Sequence, residues 1–315
     1  MTELLHLSTL TRGQGANAAL LSGAVTPARA ELDVVEVSPL PRGFRRMVRG
    51  LEFDVAEMAV TTYLVAREHG VPFTALPVFL VRGFHHGAIQ VASGSVGRPE
   101  DLAGRRVGVN RGYTVTTGVW ARGVLAAEYG LDLDGITWVT SDDEHVEGYR
   151  PPLNVESAPA GTDLAAEVAS GALAAVIGAA PAVAGVEPLL PDPEAAALAA
   201  LRRDGFHPIN HLVVVRDDLL AAHPWLAEDL FEAFAEAKRR YVADLVAGAI
   251  PAPDATDRLN TAVATETDAD PLPYGVEPNR AALEHLVDLA HDQHILSDRP
   301  EIDTLFAAGT RALVA

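Results

Sequence analysis

The stretch TALPVFLVRGFHHGAIQVASG, residues 74–94, decides the fold. An apolar run ends at Arg82, a polar segment with two adjacent histidines follows, and a second apolar run begins at once. HPINHLVVVRDD, residues 207–218, repeats the arrangement. Each place reads as a chain passing from one lobe into a strand of another, which predicts two crossings, near Gly87 and near Pro208. Outward from these points, ELLHLSTL, ELDVVEVSPL, LEFDVAEM, RRVGVN, ITWVTS and LAAVIGA are further short apolar runs bounded by turn residues. They alternate with the helical patterns RGFRRMVRG, AEMAVTTYLVAREHG and TVTTGVWARGVLAAEYG, the last two ended by Gly70 and Gly130. Strands alternating with helices predict an α/β fold with largely parallel sheet. After about Asp218 the pattern turns almost wholly helical.

Composition narrows the chemistry. At 315 residues and 49% hydrophobic content the chain can bury a sizeable core, and its length suits two domains. With 43 acidic against 24 basic residues the formal charge is -19, which repels phosphate backbones and anionic lipid, so neither nucleic acid nor membrane is expected as a partner. An acidic ligand then requires a local arginine working against that field. The absence of Cys removes thiol nucleophiles, thiolate metal sites and disulfides. The single lysine, Lys238, lies in FEAFAEAKRRY, a helical pattern in which Lys is expected to face water, so a Schiff base is not expected. No GxxxxGK[ST] phosphate loop occurs. The start MTELLHLSTLTRGQG has no basic segment followed by an apolar one, so the expected location is cytoplasmic. Gly171–Val186, interrupted by Gly178 and Pro181, reads as a buried strand and turn.

Several motifs carry candidate chemistry. TRGQGANAALLSG places Gly13-x-Gly15-x-x-Ala18 after a strand, with Glu36 on the next, but Gly23 and Pro27 cut short the helix a dinucleotide site needs. It reads as a flexible loop at the mouth of a cleft. In LEFDVAEM, Asp54 is placed as a helix cap, and Glu57, read into the first helical turn, is either part of that cap or a ligand or proton-transfer group. Arg82, His85 and His86 cluster before one strand, and Asn210 and His211 before another. Adjacent histidines on extended chain point to opposite sides, which disfavours joint ligation of a metal but lets one face a cleft. Tyr113, Thr114, Thr116 and Thr117 stand at a helix start, where N–H groups and hydroxyls can receive a carboxylate. His285, His291 and His294 read as a solvated helix end, and no metal site is expected.

FRRMVRGLEFDVAEM, ALPVFLVRGFHHGAIQV, GYTVTTGVWARGVLAAEYG, HPINHLVVVRDDLLAAHPW and DPLPYGVEPNRAALEHLVDLAHDQHIL together resemble the 4,5-dihydroxyphthalate decarboxylase family, almost end to end. The chain departs from the family pattern at His85, where Arg is usual, at Asn210, where Met is common, and in a loop one residue longer before Tyr113. The resemblance implies a two-lobed α/β fold like type 2 periplasmic binding proteins, with residues 1–88 and 208–315 in one lobe, 89–207 in the other and the ligand between them. It implies decarboxylation of a hydroxylated aromatic acid, 4,5-dihydroxyphthalate to protocatechuate, without a cofactor. On this reading His86, His211 and Glu57 move protons, the two histidines facing each other. Arg82, His85, Tyr113, Thr114, Thr116, Thr117, Arg122 and Asn210 hold the substrate. A small aromatic carboxylate is the expected partner, and a homo-oligomer is left open. Two other readings stand beside it: a solute-binding protein that captures an aromatic acid, and a related enzyme acting on another aromatic or heteroaromatic acid.

Overall fold

A computed structural model describes residues 4–178 and 183–315. The turn expected around Pro181 lies outside the described residues. The strands, in chain order, are β1 (Leu5–Leu10), β2 (Ala30–Val35), β3 (Val55–Ala59), β4 (Phe73–Arg82), β5 (Ile89–Ala92), β6 (Arg106–Val109), β7 (Thr137–Thr140), β8 (Val155–Ser157), β9 (Ala175–Ile177), β10 (Val186–Pro188) and β11 (Ile209–Arg216). They form two sheets, ordered β2-β1-β3-β11-β4 and β10-β5-β9-β6-β7-β8. Contacts divide the chain into two compact units: residues 1–83, 206–284 and 300–315, and residues 84–205 with 285–299.

In the first unit β3 lies between β1 and β11, parallel to one and antiparallel to the other. All five of its residues, VAEMA, are buried, as expected of a strand covered on both faces. Glu57 is the ionisable one among them. The helix Pro41–Gly50 starts with Pro at its first turn and buries Phe44, Met47 and Val48. The next helix, Val60–Glu68, begins one residue after β3. The glutamate therefore sits in mid-strand, not in the first helical turn where its spacing from Asp54 had placed it. Asp54 does not cap that helix. Its carboxylate accepts from the Ser8 main-chain N (2.9 Å) and Oγ (2.7 Å), tying the start of β3 to β1.

In the second unit β6, β7, β8 and β9 run parallel, and β5 joins antiparallel to β9. The three-residue strands β8 and β10, at the sheet's edges, are too short for a periodic signal. The helix Thr116–Tyr129 ends at Gly130 in the left-handed region (φ 66°), as a C-terminal glycine permits. Residues 285–299, expected with the first lobe, group with this unit, and two contacts explain why. Arg122 Nε donates to Gln293 Oε1 (2.7 Å), and a β-carbon on Gly123 would stand 2.6 Å from Leu289 Cδ1, so the glycine permits close helix packing. No helix among the described residues is long and apolar enough to cross a membrane.

The loop after β1 packs against the helix Leu226–Val246, where a β-carbon on Gly15 would lie 2.1 Å from the Tyr241 ring. That ring cannot swing away freely, because its hydroxyl donates to Asp257 Oδ1 (2.6 Å) and accepts from Asn260 Nδ2 (3.2 Å). Gly15→Ala is expected to destabilise the protein by about 1–3 kcal/mol, as overpacking does, read as a lower urea midpoint.

Candidate functional site

Glu57 carries its carboxylate into the interior with no side-chain exposure. Its Oε1 meets His211 Nδ1 at 2.6 Å, and its Oε2 accepts from Thr11 Oγ1 (2.8 Å), Arg12 N (3.2 Å) and Gln14 Nε2 (3.3 Å). The antiparallel register sets Val213 opposite Glu57 and His211 opposite Ala59, so His211 and Glu57 come from neighbouring strands two register positions apart. Burial by itself would push this carboxyl up. His211, Thr11 and the Arg12 main chain outweigh it and hold Glu57 below the usual carboxylate range. With Nδ1–H held by the carboxylate, the imidazole keeps Nε2 for chemistry, the arrangement that fixes tautomer and orientation in histidine–carboxylate pairs. Phe44 packs edge-on against the ring at 5.2 Å, and 18% of the His211 side chain remains exposed. Asn210, its neighbour on β11, is half-buried.

Arg82 departs from expectation. It is buried at the end of β4, and its guanidinium donates through Nη1 to the His207 carbonyl (2.9 Å) and through Nη2 to the Pro273 carbonyl (2.8 Å) and Asn279. The fork expected to grip a substrate carboxylate holds the chain's own carbonyls instead. Arg12 was not singled out by its sequence. Its side chain is 54% exposed, and its Nε stands 3.8 Å from Glu57 Oε1. Lys238 is also corrected: it does not face water but is 1% exposed, salt-bridged to Asp270 and 5.3 Å over the Tyr274 ring.

In the second unit His86 is 3% exposed, with Nε2 3.1 Å from Glu128 Oε1, which also accepts from Arg203. His85 is buried near Trp120 (ring centroids 6.4 Å), and Trp120 stacks in turn on His285. Burial, helped by His86, pushes His85 down to about 3, so it stays neutral and supplies no cation. The receptor expected at residues 113–117 does hold a carboxylate, but it is that of Glu144. Tyr113 N (2.5 Å), Thr114 N (3.2 Å) and Thr114 Oγ1 (2.6 Å) all donate to it. Thr116 is the buried first residue of the helix and Thr117 its half-buried second. Arg122 is wholly buried. Besides Gln293 it donates to the Tyr113 carbonyl (2.8 Å) and lies 3.9 Å over the Tyr113 ring, which makes it a brace. Among the described residues, one group has atoms close enough to share a metal ion: the exposed His6, Glu31 and Asp33 on β1 and β2.

No family model matches the chain. It is similar to the 4,5-dihydroxyphthalate decarboxylase of Comamonas testosteroni, 30% identical over 287 residues, which cover 84% of each chain. It is similar to that of Pseudomonas putida over 144 residues at 34% identity, covering 43% of this chain and 55% of the other. Among solved structures it matches the periplasmic aliphatic sulphonate binding protein SsuA of Escherichia coli with a TM-score of 0.56 and 15% identity, over 97% of this chain and 92% of that one. That likeness shows the fold, the two-lobed α/β architecture of periplasmic solute-binding proteins, as its sequence predicts.

Two outcomes follow from the buried charges. A carboxyl depressed by folding contributes stability above its unfolded value, about 4.5, and loses it as pH falls through the lower folded value. The gap in melting temperature between wild type and Glu57→Gln is therefore expected to be full at pH 7 and to shrink on acidification below pH 4.5. Arg82→Lys, which cannot reach all three acceptors, is expected to cost about 2–4 kcal/mol of stability in chemical denaturation.

Proposed function

This chain belongs to the 4,5-dihydroxyphthalate decarboxylase family, and from that premise we propose that it converts 4,5-dihydroxyphthalate to protocatechuate and carbon dioxide without a cofactor. It is a carboxy-lyase. The observation that supports the finer reading is the buried Glu57–His211 pair.

Losing carbon dioxide from an aromatic ring requires a proton on the carbon that bears the leaving carboxylate. A hydroxyl para to that carbon gives up its proton and pushes electron density into the ring. The ring carbon then takes a proton from His211 Nε2. The carbon–carbon bond breaks, its electron pair returns to the ring, aromaticity is restored, and the phenolate regains a proton. One proton is consumed for each carbon dioxide released, and His211 is recharged from solvent. Glu57 is the positioning residue: it keeps the proton on Nδ1, aims Nε2 and stabilises the imidazolium before transfer. General acid catalysis of this kind is worth about 10²–10⁴-fold. His86, wholly buried and tied to Glu128, supports a structural role better than the second proton transfer expected of it.

The fold's likeness to a sulphonate-binding protein favours a second reading, capture of an aromatic acid without turnover. One experiment separates the two. Purified protein is incubated with 4,5-dihydroxyphthalate and a panel of other hydroxylated aromatic acids, with no added nicotinamide or pyridoxal phosphate, with and without chelator, and released carbon dioxide is measured. Release from 4,5-dihydroxyphthalate is expected in every arm. Tight binding with no release from any acid would favour the capture reading, and release from another acid alone would redirect the substrate. His211→Asn is expected to lower kcat about 10²-fold with KM within a few fold, whereas His86→Asn is expected to lower melting temperature more than kcat.

A further inference from the structure

A dihydroxylated aromatic dicarboxylate keeps one carboxylate after the other has left, and that group needs a receptor. The receptors expected from the sequence are taken: Arg82 by carbonyls and Asn279, Arg122 by Gln293 and Tyr113, and the residue 113–114 amides by Glu144. The first unit offers another place. A cavity of about 250 Å³ is lined by Arg12, Gln14, Arg82, Tyr241, Thr256 and Asn260 among others. It lies just below the range of about 300–1,000 Å³ typical for drug-sized ligands, a size suited to a single substituted ring.

Three observations give this cavity its chemistry. It shares a wall with the proton-transfer pair, because Arg12 and Gln14 line it and both donate to Glu57. Its lining includes Arg12, whose side chain is more than half exposed. The two aspartates in its lining, Asp254 and Asp257, cap each other's main-chain amides, and Asp257 also accepts from Tyr241, so three of their four oxygens are already engaged.

We propose that this cavity is the subsite for the carboxylate that stays on the ring, with Arg12 as its grip. The inference rests on the decarboxylase reading and specifies how that site takes a dicarboxylate. A guanidinium fork matches a carboxylate through two parallel hydrogen bonds, and in a chain of charge -19 it must act at short range. Arg12 Nε stands 3.8 Å from Glu57 Oε1, so the subsite adjoins the carboxylate that holds His211.

The test is calorimetric titration of the full chain with two unreactive probes. Phthalate carries both carboxylates and no hydroxyl to drive the reaction; catechol carries the hydroxyls and no carboxylate. Arg12→Gln and Thr256→Glu, both at exposed positions, are expected to weaken phthalate binding tenfold or more while leaving catechol within twofold. His211→Asn is expected to leave phthalate within threefold. Phthalate affinity unchanged in both cavity variants, a loss in His211→Asn as large as in Arg12→Gln, or no phthalate binding by wild type would overturn the proposal. Failure of the decarboxylase reading looks different: no carbon dioxide from any hydroxylated acid, with phthalate still held through Arg12. Turnover by Arg12→Gln with unchanged KM would sink the subsite and leave the decarboxylase standing.

Discussion

A carboxylate with no exposed surface has to be answered by donors, and in this protein the answer to Glu57 organises everything around it. Four groups converge on its two oxygens: an imidazole from β11, and a hydroxyl, a main-chain amide and a side-chain amide from the loop after β1. Stranding a buried charge by removing its partner typically costs about 3–5 kcal/mol, so register and loop conformation are both tied to this point. A one-residue slip of β11 would turn His211 away and leave the carboxylate without its main partner. The loop after β1, whose glycines superficially imitate a dinucleotide fingerprint and which the sequence reads as a flexible loop at the mouth of a cleft, is held by the same network, and by the close approach of Gly15 to Tyr241.

Cations in so acidic a chain are scarce, and the structure uses many of them as internal braces. Arg82 ties β4 to the 273–279 segment, Arg122 ties a helix to the segment at Gln293, and Lys238 is sunk against Asp270. The two arginines meet main-chain carbonyls and a side-chain amide, and the lysine meets a carboxylate. A brace of this kind cannot also serve a ligand without giving up part of the fold. That division makes the half-exposed Arg12, beside the one buried carboxylate–imidazole pair of the first unit's central strands, different in kind from the arginines that drew attention first.

The sequence carried the architecture well because the central strands are long, apolar and punctuated by Gly, Pro or charged residues. Strands β4 and β11 and the helix closed by Gly130 announce themselves locally. β8 and β10 do not, since three residues at a sheet edge have no period to read. The site was legible as residue types but not as partnerships. Glu57 and His211 could each be named, yet their bond joins positions 154 apart in the chain. Glu57 was misplaced by a helical turn because its spacing from Asp54 mimics a cap. Glu144 gave no signal at all, being an acid in a loop whose meaning depends on the amides it meets. Lys238 failed for a related reason: helical periodicity suggested an outward face, while Asp270, 32 residues on, supplies the counter-charge that lets it go inside.

The same pair bears on whether the site holds an acid or transforms it. A protein that only captures an aromatic carboxylate gains from donors and cations and loses from any fixed anion nearby, since like charges repel within a few ångströms of poorly screened interior. Glu57 is such an anion, kept ionised at the cost of burying it and of four hydrogen bonds to hold it. For capture alone a neutral glutamine at this position would hold the loop and spare the repulsion. For proton delivery the anion has a use that a neutral residue lacks, because it stabilises the imidazolium and fixes which nitrogen is free to donate. A charge that penalises binding of the ligand and favours the proton transfer is what catalysis by differential stabilisation requires, and this supports the proposed proton-delivery role of the Glu57–His211 pair over a role in grip alone.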